Sequence, residues 1–147
     1  MSYTIEALGE AAVDPAAIFA FYMDPSTWSQ WGHNVRWARA DGPLVEGGIV
    51  EVRPKYPATY KCRIERLVPD RLLRIVVRPI GLRIVNVYEV DPAPGGSRIR
   101  HAFEISGPMS RPLRWIGVAR AYQASLSDEV RHLIELAEAQ SDVDQTG

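Results

Sequence analysis

Residues 107–140, GPMSRPLRWIGVARAYQASLSDEVRHLIELAEAQ, read as one long amphipathic helix introduced by a turn. Gly107-Pro108 breaks whatever precedes it, Ser110 can cap the free amides, and Pro112 suits a first turn whose N–H groups need no partner within the helix. Beyond it Leu113, Ile116, Arg120, Ala124, Leu126, Val130, Leu133, Ile134 and Ala137 fall roughly on one side at helical spacing. At 1.5 Å per residue the helix is about 40 Å long. Gly117 within it costs about 1 kcal/mol relative to alanine, which points to close packing or a bend. The polar residues that follow, 141–147, are expected to fray, giving one domain over 1–140 and a polar tail over 141–147.

A stripe of that length needs an apolar surface to cover, and the upstream sequence supplies one. From Val35 the texture is that of strands separated by turn residues: Val35–Ala40, Ile49–Arg53, Tyr60–Val68, Leu72–Arg78, Leu82–Val90 and Ile99–Ser106, with Pro, Gly and Asp between them. Connections this short favour an antiparallel meander, because parallel strands need crossover helices. Ahead of these, Thr4–Ala11 reads as a first strand. Asp14-Pro15 and Asp24-Pro25 each announce a short helix, with the carboxylate as cap and proline at the first helical position. The second carries Trp28 and Trp31 on one face, three residues apart. The expected fold is therefore α+β: about seven antiparallel strands, two short helices after the first, and a long C-terminal helix on the concave face. A bent sheet touched by a helix mainly at one end leaves a gap of the kind small ligands occupy.

The bulk properties narrow the functional classes. The chain has 147 residues, 46% of them hydrophobic and 24% charged, enough to bury a real core. A formal net charge of −1 and arginines scattered over several segments give no footprint for nucleic acid. Cys62 is the single cysteine, so neither an intrachain disulfide nor a cysteine-based zinc site can form, and three separated histidines argue against a histidine-rich metal site. The expectation is that no metal and no cofactor is bound. The start MSYTIEALGEAAVD places Glu6, Glu10 and Asp14 where a signal peptide would be apolar, and no stretch approaches a membrane span. A soluble, cytoplasmic protein without membrane insertion is expected.

Five stretches in order, VDPAAIFAFYMDPSTWSQW (13–31), DGPLVEGG (41–48), PDRLLR (69–74), GGSRIRHAFEISGP (95–108) and LIELAEAQ (133–140), resemble the START-like SRPBCC superfamily and, within it, the bacterial polyketide cyclase/dehydrase-like proteins. The resemblance spans nearly the whole chain. It implies the helix-grip fold, a curved sheet wrapped around the long helix, with an internal cavity. Its functional range is wide, covering lipid carriers, aromatase/cyclases, hormone receptors and co-chaperone activators, and it brings no catalytic motif. Three functions follow as expectations. The first is uptake of an apolar or aromatic small molecule, lipid or polyketide-like, as the partner. The second is a polyketide cyclase/dehydratase acting on such a molecule, and the third a co-chaperone-like interaction module.

Alternation sorts the last two strands. If Val90 pairs with Ile99, then Tyr88 lies opposite His101, Asn86 opposite Phe103 and Ile84 opposite Ile105, all facing the helix, while Arg83, Glu89, Arg98, Arg100 and Glu104 take the solvent face. The candidate catalytic residues are His101, Tyr88 and Arg120. His101 is either a proton shuttle or orienting donor, or a core histidine satisfied by Tyr88 or backbone. Arg120 either holds a carboxylate or enolate oxygen, or reaches past the sheet edge to solvent. The candidate ligand-binding residues are Trp28, Trp31, Tyr60, Asn86, Phe103, Trp115, Ile116 and Gln123. Of the two indoles before the meander, one is expected to anchor the short helix and the other to line the cavity. Cys62 reads as a small buried hydrophobe, and His33 as an exposed loop residue.

Overall fold

The computed structural model describes residues 2–32, 35–54, 59–79, 81–110 and 118–146. The readings made of His33, Trp115, Ile116 and Gly117 therefore concern positions outside the described residues. Strand β1 (Ser2–Ala11) leads into α1 (Pro15–Tyr22), a single 3-10 turn (Pro25–Thr27) and the short α2 (Trp28–Trp31). Six strands follow: β2 (Val35–Arg39), β3 (Ile49–Pro54), β4 (Tyr60–Val68), β5 (Leu72–Val77), β6 (Arg83–Ala93) and β7 (Gly96–Ser106). Helix α3 (Val118–Thr146) closes the chain. All seven strands form one antiparallel sheet in the order β1-β7-β6-β5-β4-β3-β2, the helix-grip arrangement.

The local signals act as their chemistry requires. The Asp14 carboxylate accepts from the Ala17 amide at 3.1 Å, with Pro15 as the first residue of α1. Asp24 accepts from the Ser26 amide at 3.1 Å and starts the 3-10 turn. The β6–β7 pairing has the expected register, Tyr88 opposite His101 and Asn86 opposite Phe103. Its hairpin, however, is tighter than the Pro- and Gly-rich run suggests: Ala93 pairs with Gly96, leaving Pro94-Gly95 at the tip. Gly95 has φ +80°, the value a type II turn demands after a proline. Pro92 fits within β6 because Val90 directs its N–H to Arg71 on the β5 side at 2.9 Å. Two residues on, the same side lies past the end of β5, where no ladder bond is lost.

Two apolar layers result. The main core lies between the concave face and the helices and includes Ile18, Tyr22, Trp31, Ile64, Leu73, Ile99, Leu126 and Leu133. A smaller one, Val76, Val85, Val87 and Ala102, sits on the convex face. Ion pairs surround it there: Arg74 bridges Glu65 and Glu104, Arg100 bridges Glu6 and Glu89, and Arg83 joins Glu65. Arginine stems can cover valines while their heads stay wet, so the expected solvent face is a charged lattice around an apolar patch.

Helix α3 is anchored toward its C-terminal half. A Cβ at Gly9 of β1 would stand 2.7 Å from Val130 Cγ1 and 2.8 Å from Ile134 Cδ1, so the missing side chain lets the helix lie on the strand. Glu138 also accepts the Ala12 amide at 2.9 Å. The helix runs through Thr146. Residues 141–146 of the expected polar tail thus continue α3, where a Gln140 Nε2 to Asp144 Oδ1 bond of 3.2 Å joins side chains one turn apart.

Candidate functional site

A cavity of about 630 Å³ lies between the helix and the sheet. Strands β4 to β7 form its floor with Tyr60, Cys62, Ile75, Asn86, Tyr88 and Phe103, and α2 contributes Trp28 and Trp31. The roof is α3, where Tyr122, Ser125 and Glu129 point inward. Those three recur at spacings of three and four and so share one helical face. Phe103 and Tyr122 meet edge-on at 5.2 Å, joining floor to roof.

Five of the expected ligand-binding residues, Trp28, Trp31, Tyr60, Asn86 and Phe103, thus meet around one space, together with Tyr88 from the candidate catalytic set. Both indoles line it, and both are also anchored. Trp28 Nε1 donates to the Tyr22 carbonyl at 3.2 Å and Trp31 Nε1 to Thr27 Oγ1 at 3.1 Å. The division of labour expected between them is absent because each ring has one edge for the protein and one face for the cavity. Gln123 is exposed on α3 and donates to the Glu6 carbonyl on β1, outside the cavity lining.

Arg120 is exposed and does not line the cavity. The expectation that it faces the concavity fails on helical phase. At 3.6 residues per turn, Arg120 and Glu129 are about two and a half turns apart and lie on opposite sides. Ala124 is exposed for a related reason, while Leu126, Val130, Leu133 and Ala137 from the same expected stripe are buried.

His101 is fully buried and sits behind the cavity wall rather than in it. Its partners are neither Tyr88 nor backbone. Nδ1 lies 2.7 Å from Glu129 Oε1, and Nε2 lies 2.7 Å from the Tyr22 hydroxyl. A carboxylate only accepts, so Nδ1 carries a proton and donates; in neutral imidazole Nε2 then accepts from the Tyr22 O–H. Tyr88 packs its ring against the imidazole edge-on at 4.9 Å, and Trp31 does so at 5.8 Å. The result is a buried relay, Tyr22–His101–Glu129, built from α1, β7 and α3, whose last member reaches the cavity.

Glu129 is the residue that sequence reasoning missed. It is buried, lines the cavity and is fixed by His101. Burial, and then the Glu129 charge, hold the hydroxyls of Tyr22 and Tyr88 well above the ordinary tyrosine value. Both therefore remain protonated donors at neutral pH. Burial alone pushes the Cys62 thiol up to about 11, which makes it a poor nucleophile. Among the described residues the wall thus offers the Glu129 carboxylate, phenols at Tyr60, Tyr88 and Tyr122, the Ser125 hydroxyl and the Asn86 amide, set among aromatic and aliphatic side chains. Among the described residues no cluster of three or more His, Cys, Asp or Glu side chains could hold a metal ion, and no helix is long and apolar enough to cross a membrane.

Comparison with known proteins matches residues 4–138 to the family model described as polyketide cyclase / dehydrase and lipid transport. Solved structures share the fold at low identity. Protein NE0264 from Nitrosomonas europaea superposes with a TM-score of 0.76 at 17% identity, covering 95% of this chain and 96% of that one. Ara h 8.0201 gives 0.71 at 15% identity, covering 95% and 99%. The Polyketide_cyc-like protein Cgl2372 from Corynebacterium glutamicum gives 0.63 at 14% identity, covering 99% and 94%. No curated protein matches the chain in sequence.

Proposed function

Because the chain belongs to the polyketide cyclase/dehydrase and lipid transport family, we propose that it binds an apolar or aromatic small molecule, of lipid or polyketide-like character, between the sheet and α3. The observation carrying this reading is the cavity itself. Its volume of about 630 Å³ and its aromatic wall with a few polar groups suit a drug-sized ligand. Native mass spectrometry of gently purified protein is the direct test, backed by a lipid and aromatic screen read through quenching of Trp28 and Trp31. A protein that carries nothing and binds nothing in that screen sinks the proposal.

A second reading, cyclase or dehydratase chemistry in the same cavity, is favoured by the relay ending on Glu129. Enolisation of a 1,3-diketone needs a base near the carbon between the carbonyls and a donor to the developing enolate oxygen. Glu129, oriented by His101, is the candidate base and Tyr88 the candidate donor; Arg120 has no part in this version. The test is deuterium exchange at that carbon in a bound 1,3-diketone, followed by NMR. Exchange that is lost in Glu129→Gln while binding persists supports enzymatic chemistry, and exchange no faster than in buffer removes it.

A further inference from the structure

The ladder between β4 and β5 stops short of the strand ends. Its last pair is Arg63–Val76, yet both strands run on: Tyr60 to Cys62 stay paired with β3, and Val77 with Ile84 of β6. Tyr60 and Val77 thus stand on the two banks of a slit in the sheet. Both line the internal cavity, and both also line a groove on the outer, convex side. That groove is basic. It carries Lys61, Arg63 and Arg78, all exposed. Lys61 and Arg63 alternate with Cys62 and Ile64, which belong to the main core, so they point to the convex face. None of the three makes an ion pair or hydrogen bond with a described residue. All 18 aspartates and glutamates fall within the described residues, and the other positions hold no acid. The carboxylates beside the groove are taken: Glu65 accepts from Arg74 and Arg83, and Glu51, opposite Lys61, accepts from Arg39. Three cations without a counter-charge concentrate anions in the groove that they share.

We infer that this groove holds the anionic head of an amphiphilic ligand, a carboxylate or a phosphate monoester, while its apolar chain passes between Tyr60 and Val77 into the cavity. This rests on the reading of the cavity as a ligand site and narrows the ligand to a chemical class. The guanidinium forks of Arg63 and Arg78 match either oxyanion, and Lys61 adds a mobile point charge. Tyr60, exposed at the junction, offers its ring to the chain and its hydroxyl to the head. Glu129 lines the cavity from α3, on the concave side, so a head held on the convex side does not share its site. An alcohol of the same chain keeps the apolar contacts and loses the charge.

The test compares decanoic acid, decyl phosphate and decanol, below their aggregation limits, with the intact chain at neutral pH by calorimetry. The better-bound anion is expected to bind about tenfold or more tighter than the alcohol, an advantage that shrinks in high salt. If decanol binds and the anions gain less, the inference falls and the cavity reading stands. The triple variant Lys61→Gln, Arg63→Gln, Arg78→Gln is expected to bring anion and alcohol within about threefold; the full preference retained in a folded variant overturns the inference. Tryptophan quenching reports the orientation. Trp28 and Trp31 line the cavity, so 10-bromodecanoic acid should quench more than 2-bromodecanoic acid, and an equal or reversed order overturns the inference. Sedimentation with phosphatidylcholine vesicles, with and without phosphatidylglycerol, separates the sources of the head. Capture by the anionic vesicles on top of a monomer preference marks a membrane lipid as the source; capture without that preference is a surface contact only and overturns the inference. If none of the three ligands binds, the cavity fails as a ligand site and takes this inference with it. The wild-type series stands on its own should the variant not fold.

Discussion

Replacing Tyr22 by phenylalanine removes one oxygen from the protein interior and little else. The ring keeps its packing against Phe19, Trp31 and Tyr88, at 5.6, 5.7 and 5.2 Å between centroids. The bond from Trp28 Nε1 is to the Tyr22 carbonyl and survives. What is lost is the 2.7 Å bond to His101 Nε2, on an imidazole that is fully buried. A buried acceptor left without its donor costs about 1–3 kcal/mol. For a domain of this size that is a fall of about 3–10 °C in melting temperature. Urea unfolding followed by tryptophan fluorescence should show a lower midpoint with an unchanged slope, since the surface exposed on unfolding hardly changes. Combining Tyr22→Phe with Glu129→Gln adds a further check. If the three side chains act as one network, the double variant should lose less than the sum of the single losses, by about 0.5 kcal/mol or more. An unchanged midpoint in Tyr22→Phe, or strict additivity, would refute the relay as a cooperative unit.

Three further perturbations probe the other parts of the structure. With its thiol pushed up to about 11, Cys62 should react with iodoacetamide at pH 8 about a hundredfold more slowly than the unfolded chain; rates equal to those in urea would show that the thiol is not buried as described. Gly9→Val must move Val130 and Ile134, which stand 2.7 and 2.8 Å from the added carbon, and should cost about 1–3 kcal/mol in a urea titration; a neutral result would mean that α3 does not rest on β1 at that point. On the convex face, the hydrogen bond from Arg74 holds the Glu104 carboxyl below its ordinary value of 4.5. A depressed carboxyl stabilises the fold above that value and loses its contribution as pH falls below it. Arg74→Gln should therefore cost up to about 1 kcal/mol at pH 7 in low salt, and the gap to wild type should narrow as pH falls below the ordinary value of 4.5. A gap that does not narrow as the carboxyl is protonated would contradict this origin.

The architecture was legible because it depends on patterns that survive in one dimension. Alternation in β6 and β7 fixes which side chains meet, so Tyr88 opposite His101 and Asn86 opposite Phe103 follow from pairing Val90 with Ile99. Two Asp-Pro pairs mark helix starts whatever lies around them. The site was legible only as far as the sheet supplies it. Helical phase must be set by the residues that touch the core, and Leu126, Val130, Leu133 and Ala137 set it. Extending the stripe back through Ala124 and Arg120 accumulates an error that turns Arg120 to solvent. Glu129 follows Asp128 in a polar stretch and by sequence resembles any solvated acid; its value comes from a histidine 28 positions away. The hint available was its spacing from Leu126, Val130 and Leu133, which places a carboxylate within the buried arc.

The pairing of β1 with β7 bears on how the protein is made. Strands β2 to β7 zip together through successive hairpins, contacts that are local and quick to close. The first strand has no partner among its neighbours in sequence; Ser2 lies opposite Ser106 and Ala11 opposite Ser97. On a ribosome it must wait, together with α1, until nearly the last strand has emerged. Only then can Tyr22 find His101, 79 residues downstream. Such long closures slow folding into the millisecond-to-second range. The waiting segment, with Ile18, Phe19 and Tyr22 uncovered, is the stretch a nascent-chain chaperone would meet.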